Sequence, residues 1–235
     1  MQKVDDFFAW GSGLDGMTAD FCSNLDQITP ATWLEVARQN PVIAVIRAHQ
    51  YELAWQMAQA VAAGGLRLIE ITWNSDRPAQ LIEQLRQDLP GCVIGAGTLL
   101  TLTEVDAAIA AGAQFLFSPH VNPVLIEAAL AHDRPLIPGA FSPTEIVTAW
   151  QAGAPCVKVF PIQALGGVAY LQALQGPLGH IPLIPTGGVT IENAPGFLAA
   201  GAIAVGLSGS LFPASMLRSG DWQGITTLAQ KALQQ

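Results

Sequence analysis

Residues 183–206 read LIPTGGVTIENAPGFLAAGAIAVG, and the order of events inside them decides the fold. An apolar run, Leu183-Ile184-Pro185-Thr186, stops at the pair Gly187-Gly188. A polar turn leads into a helical stretch around 191–199, which ends at Ala199-Ala200-Gly201-Ala202, and a second apolar run starts at Ile203. This is the pattern of a parallel β-α-β unit: glycine caps the helix cheaply, and a parallel return strand needs a crossover. The closing phrase recurs as Ala-Ala-Gly-Gly at 62–65 and Ala-Ala-Gly-Ala at 110–113. Working outward from it, candidate strands fall at 42–46, 66–72, 92–95, 114–118, 135–138, 156–160, 183–186 and 203–206. Helices are predicted around 31–39, 51–63, 78–88, 102–111, 122–131, 143–152, 167–175, 191–199 and 221–234. Eight parallel strands with right-handed crossovers predict an α/β fold of the (β/α)8 TIM-barrel type. An open doubly wound sheet with a dinucleotide site would need GxGxxG after a strand, and Gly95-Ala-Gly97-Thr98-Leu99-Leu100 lacks the third glycine.

The chain has 235 residues, 51% apolar and 12% charged, which suits one domain of strands covered on both faces. Net charge is −8 and the ten basic residues are scattered, so no basic stripe is offered to nucleic acid. Cys22, Cys92 and Cys156 form no framework and fit a reducing cytoplasm. Asp5 and Asp6 stand where a signal peptide would carry basic residues, and the apolar region 159–191 is too often broken by proline and glycine for a membrane span. Residues 1–28, with Phe7, Phe8 and Trp10 among glycines and acids, match neither period and form an N-terminal extension ahead of a barrel at 29–235. A docked arm, a disordered tail or a true start at Met17 all remain open.

Lys158 is the chemical anomaly. It sits inside Cys156-Val157-Lys158-Val159-Phe160-Pro161, near the C-terminal end of the sixth strand, on the face where barrels build active sites. An unpaired buried ammonium is costly, and an amine in apolar surroundings is the kind that attacks carbonyls; a structural ion pair is the plain alternative. In Leu66-Arg67-Leu68-Ile69-Glu70-Ile71-Thr72, period two places Glu70 beside Leu68 and Thr72, facing the barrel axis. Glu70 could neutralise Lys158 or carry protons during imine formation. Arg47, closing the first strand, suits a carboxylate or phosphate, or a structural grip on loop carbonyls. Anion-binding turns are predicted at Gly95-Ala96-Gly97-Thr98, Thr186-Gly187-Gly188 and Gly206-Leu207-Ser208-Gly209-Ser210. His49, His120, His132 and His180 show no metal-ligand spacing, and no metal is expected.

In order, Pro41-Val-Ile-Ala-Val-Ile-Arg47, Ile69-Glu70-Ile-Thr72, Gly95-Ala-Gly-Thr98, Phe117-Ser118-Pro119, Leu136-Ile-Pro-Gly139, Val157-Lys158-Val-Phe160-Pro161 and Pro185-Thr-Gly-Gly188 resemble the 2-keto-3-deoxy-6-phosphogluconate (KDPG)/4-hydroxy-2-oxoglutarate (KHG) aldolase family over roughly residues 30–213. The resemblance implies a homotrimeric class I aldolase, free of metal and organic cofactor, that takes a small 2-keto acid to pyruvate plus glyceraldehyde 3-phosphate or glyoxylate. It implies Lys158 as the Schiff-base lysine and Glu70 as the acid/base. Arg47, Gly97 and Thr98 are expected near the substrate carboxylate, with Thr186, Phe160 and Pro119 as pocket walls. Gly187, Gly188, Ser208 and Ser210 are expected at the phosphate, with Thr72 and Asn74 also facing substrate. Two stretches depart from the family pattern. Thr72-Trp73-Asn74-Ser75 replaces a Thr-Leu-Arg-Thr segment and resembles the galactonate-type branch, and Ser208-Gly209-Ser210 leaves open which serine meets a phosphate. A sugar-phosphate epimerase or isomerase barrel and a non-catalytic binding barrel are the remaining alternatives.

Overall fold

The computed structural model describes residues 28–234. The expected extension therefore lies outside the described residues, except Ile28, which is buried in the inner core beside Trp33. Eight strands follow: β1 (Val42–Ile46), β2 (Leu68–Thr72), β3 (Val93–Gly97), β4 (Leu116–Ser118), β5 (Leu136–Ala140), β6 (Val157–Val159), β7 (Leu183–Pro185) and β8 (Val205–Leu207). All are parallel, in the order β7-β6-β5-β4-β3-β2-β1-β8. The ring closes between β7 and β8 through a bridge pairing Thr186 with Gly206 and through the Ile203 N–H, which donates to the Leu183 carbonyl at 3.1 Å. The result is a TIM barrel.

Helix α1 (Pro30–Gln39) precedes β1; α2 (Tyr51–Ala63), α3 (Pro78–Asp88), α4 (Leu102–Ala110), α5 (Pro123–Ala131), α6 (Pro143–Gln151), α7 (Val168–Leu178) and α8 (Ala194–Ala199) link successive strands. Two helices close the chain, α9 (Ala214–Ser219) and α10 (Trp222–Leu233). Local chemistry explains several boundaries. Thr101 with Glu104 and Ser142 with Glu145 form reciprocal capping boxes at the starts of α4 and α6. Gly201 adopts φ 96° after α8, a left-handed turn that a side chain would disfavour.

Strand alternation sorts the core into two shells. Ile43, Val45, Leu68, Val93, Phe115, Phe117, Ile137, Cys156, Ile184 and Ala204 fill the barrel interior, whereas Val42, Ala44, Ile69, Ile71, Ile94, Val157 and Val159 pack outward under the helices. Helix α1 adds Trp33, Val36 and Ala37 to the inner shell. Trp33 lies 4.9 Å from Phe115 between ring centroids, and its indole N–H donates to Cys156 Sγ at 3.1 Å.

Two differences from the sequence reading have physical reasons. The helix expected from 191 begins at Ala194, because Thr190 and Asn193 exchange hydrogen bonds in a closed turn, the Thr190 N–H donating to Asn193 Oδ1 at 2.7 Å and the Asn193 N–H to Thr190 Oγ1 at 3.2 Å. The stretch 214–219, which has no periodic signal, forms α9 between Pro213 and a left-handed Gly220.

Candidate active site

Lys158 occupies the middle of β6, two residues from Cys156, so alternation turns its side chain into the barrel. Only 6% of it is exposed. Its Nζ lies over two ring faces, 5.2 Å from the Phe117 centroid and 5.1 Å from that of Phe160. Cys156, deeper on the same strand, has its thiol pushed up to about 12 by burial, the Trp33 hydrogen bond opposing this. That thiol packs rather than reacts.

Glu70 projects inward from β2, 1% exposed, and its Oε1 has no hydrogen-bond partner among the described residues. Burial lifts its carboxyl above the usual carboxylate range, while Lys158 and then Arg47 pull it back. Among the described residues no direct ion pair joins Glu70 to Lys158, so the attraction acts across the cavity. An unpaired buried oxygen is less costly on a neutral carboxyl group, so burial favours Glu70 holding a proton.

Gly97, paired with Thr72 across β2 and β3, explains how the carboxylate fits. A Cβ there would sit 1.7 Å from Glu70 Oε1. Thr98 then takes φ 63°, an uncommon conformation for a β-branched residue, and the turn is held by the Leu99 N–H donating to the Phe117 carbonyl at 3.2 Å.

A cavity of about 490 Å³ opens beyond the C-terminal ends of the strands. It brings together Arg47, Glu70, Thr98, Pro119, Lys158, Phe160, Thr186, Gly187, Gly188, Ser208 and Ser210. It does not include Thr72, Asn74 or Gly97. The Thr72 hydroxyl is buried and lies 3.1 Å from Ser75 Oγ, Asn74 is exposed on the turn after β2, and Gly97 is covered by Glu70. Gly206 and Gly209 of the predicted anion turn also line the cavity, as do Val45, Val189 and Thr190, which the sequence reading does not single out; for Val45, the spacing of two from Arg47 is the available signal. A second hollow of about 520 Å³, lined by Arg38, Pro41, His180 and Leu198 among others, contains neither lysine nor carboxylate.

The anion-binding end is formed by the turns after β7 and β8. Gly187 and Gly188 have φ 85° and 89°, and the N–H groups of Gly187, Gly188 and Gly209 donate to no backbone carbonyl among the described residues. The two serines differ. Ser210 Oγ accepts the Ile191 N–H at 2.9 Å, whereas Ser208 is exposed and its hydroxyl has no such bond among the described residues. His120 lies outside the cavity, its N–H donating to Ser118 Oγ at 3.2 Å.

A family model described as KDPG and KHG aldolase matches residues 34–228. A 2-dehydro-3-deoxy-phosphogluconate aldolase of Dickeya dadantii (strain 3937) is 37% identical over 199 residues, 85% of this chain and 93% of that protein. A KHG/KDPG aldolase of Escherichia coli (strain K12) is 36% identical over 195 residues, 83% and 91% of the two chains. In structure, the chain is similar to a KDPG aldolase from Legionella pneumophila with pyruvate captured at low pH as a covalent carbinolamine intermediate, at TM-score 0.76 and 29% identity, covering 90% of this chain and 97% of that one.

Proposed function

The chain belongs to the KDPG and KHG aldolase family, and on that premise we propose that it works as a class I pyruvate aldolase through Lys158 and Glu70. It is a lyase that cleaves a 2-keto acid to pyruvate and an aldehyde. The observation that carries the assignment is the convergence, in one cavity, of a buried lysine nitrogen and a buried carboxyl group inclined to hold a proton. A related enzyme that holds pyruvate as a covalent carbinolamine supports the same reading.

The uncharged amine of Lys158 attacks the C2 ketone. Glu70, through water, protonates the departing hydroxyl and leaves a protonated imine, which is the electron sink. The resulting carboxylate takes the C4 hydroxyl proton as the C3–C4 bond breaks and its electrons flow to nitrogen. An aldehyde departs, and the remaining enamine is protonated at C3 and hydrolysed to pyruvate.

Arg47 and Thr98 are the groups suited to the substrate carboxylate. The turns at Gly187-Gly188 and Ser208-Gly209-Ser210 are suited to a phosphate, with both serine hydroxyls as donors, since Ser210 Oγ only accepts the Ile191 N–H and keeps its own proton to donate. This favours a 2-keto-3-deoxy-6-phospho sugar acid, of gluconate or galactonate type, with 4-hydroxy-2-oxoglutarate as the smaller substrate. A homotrimer is part of the proposal; Leu100, Leu102, Val124 and Phe141, carried by segments following three neighbouring strands, are exposed and apolar. The buried free thiols of Cys92 and Cys156 suit a reducing cytoplasm.

Incubation with pyruvate and borohydride should attach one reduced pyruvyl group to Lys158, and Lys158→Ala should lose both label and turnover. Labelling of Lys3 or Lys231 instead would reject the assignment.

A further inference from the structure

We propose that Phe117 is a positioning residue that, with Phe160, clamps the Lys158 nitrogen between aromatic faces and favours the protonated imine over the uncharged carbinolamine before it. The inference rests on Lys158 as the imine lysine and adds a residue to that mechanism.

The Lys158 Nζ lies over both rings at nearly equal distances, 5.2 Å to Phe117 and 5.1 Å to Phe160. Each falls within the range at which a cation is drawn to the negative face of an aromatic quadrupole. No carboxylate is in direct contact with the nitrogen among the described residues, so the two rings act on it beside the longer-range charge of Glu70. Phe117 is 1% exposed, and the attraction strengthens where water is excluded.

The ring is also held in orientation. Phe115 meets it edge-on at 5.7 Å and 90°, and Trp33 at 6.4 Å and 79°. Trp33 stacks in turn on Phe115 and is tied to Cys156. An aromatic column thus runs from α1 to the reacting nitrogen and fixes the plane that Phe117 presents.

Carbinolamine dehydration is the step this arrangement addresses. The C2–O bond breaks, the hydroxyl leaves as water with a proton from the acid, and the nitrogen lone pair forms the C=N bond, so a neutral nitrogen becomes positive. A fixed quadrupole stabilises the product of that step more than its reactant. The carbinolamine-to-imine ratio is therefore the quantity that moves.

The test introduces phenylalanine carrying one, two or three ring fluorines at position 117 of the full chain, which drains the quadrupole at nearly constant shape. Pyruvate isotopically labelled at C2 reports tetrahedral carbinolamine and trigonal imine as separate carbon resonances. The imine share should fall stepwise with fluorination, by about five- to tenfold in the ratio for the trifluoro ring, while the trifluoro ring at Phe197, buried in the outer shell away from the aromatic column, leaves it unchanged. An unchanged ratio at 117, or an equal fall at 197, overturns the clamp. If the unsubstituted protein forms no C2 adduct on Lys158, the lysine assignment fails first and the clamp with it.

Discussion

At the scale of single residues, Glu70 connects reactivity to stability. Its carboxyl is buried, one oxygen is unpaired, and its pKa stands above the ordinary value because the charged form loses hydration. A folded state that binds the proton more tightly than the unfolded chain gains full benefit below the ordinary carboxylate pKa of about 4.3 and loses it as pH rises through the folded value. Glu70→Gln removes that loss. The variant should slow turnover about 100-fold yet melt at a higher temperature than wild type at neutral pH, with the gap closing as pH falls below about 4. Thermal unfolding across that range checks the pattern; an equal gap at every pH would mean that Glu70 is buried at no electrostatic cost. The inward aim of this residue is legible in the sequence alone, since alternation from Leu68 places both on one face. Gly97 makes room for its carboxyl, a reason visible only when two strands are placed side by side.

At the scale of elements, the turn after β2 carries a test of specificity. Asn74 is exposed there and Thr72 is engaged with Ser75, so no cationic side chain reaches the substrate from position 74. Asn74→Arg should raise kcat/KM for the phosphogluconate substrate relative to its unphosphorylated counterpart by about tenfold, the size of one charge-assisted hydrogen bond. An unchanged ratio in steady-state assays removes position 74 from specificity. Lys158, Arg47 and the β7 glycines could be read from sequence because Lys158 interrupts, and the others follow, a short apolar strand whose period is unambiguous. What escaped reading depends on neighbours distant in sequence or on a particular turn. Ser75 captures the Thr72 hydroxyl, the Thr190–Asn193 pair delays α8, and Thr98 takes a left-handed φ that no propensity suggests. Phe117 is the sharpest case: period two turns it inward, but its meeting with Lys158 on β6 is a tertiary fact.

At the scale of the whole molecule, the two ends of the barrel have different tasks. The α1 end is plugged by Trp33 and its aromatic neighbours, while the opposite end is open and gathers Arg47, Glu70 and Lys158. The apolar side chains exposed near the open end give the trimer proposal a direct check: sedimentation should return three times the 24.7 kDa chain mass, and Val124→Asp should lower it. A concentration-independent monomer would refute the trimer. The wall itself is uneven. β1 and β2 share four register pairs, whereas β7 and β8 meet at a single bridge and the Ile203 hydrogen bond. The turns suited to phosphate rise from those two sparsely laced strands, so a phosphorylated ligand would act as a suture across the weakest seam in the cylinder. Amide exchange at Ile203, whose N–H donates across that seam to the Leu183 carbonyl, should therefore slow more with a phosphorylated ligand than with saturating pyruvate, and equal protection by both would show that the seam needs no stitching. The enzyme is then most nearly a closed ring while it holds the molecule it is about to cut.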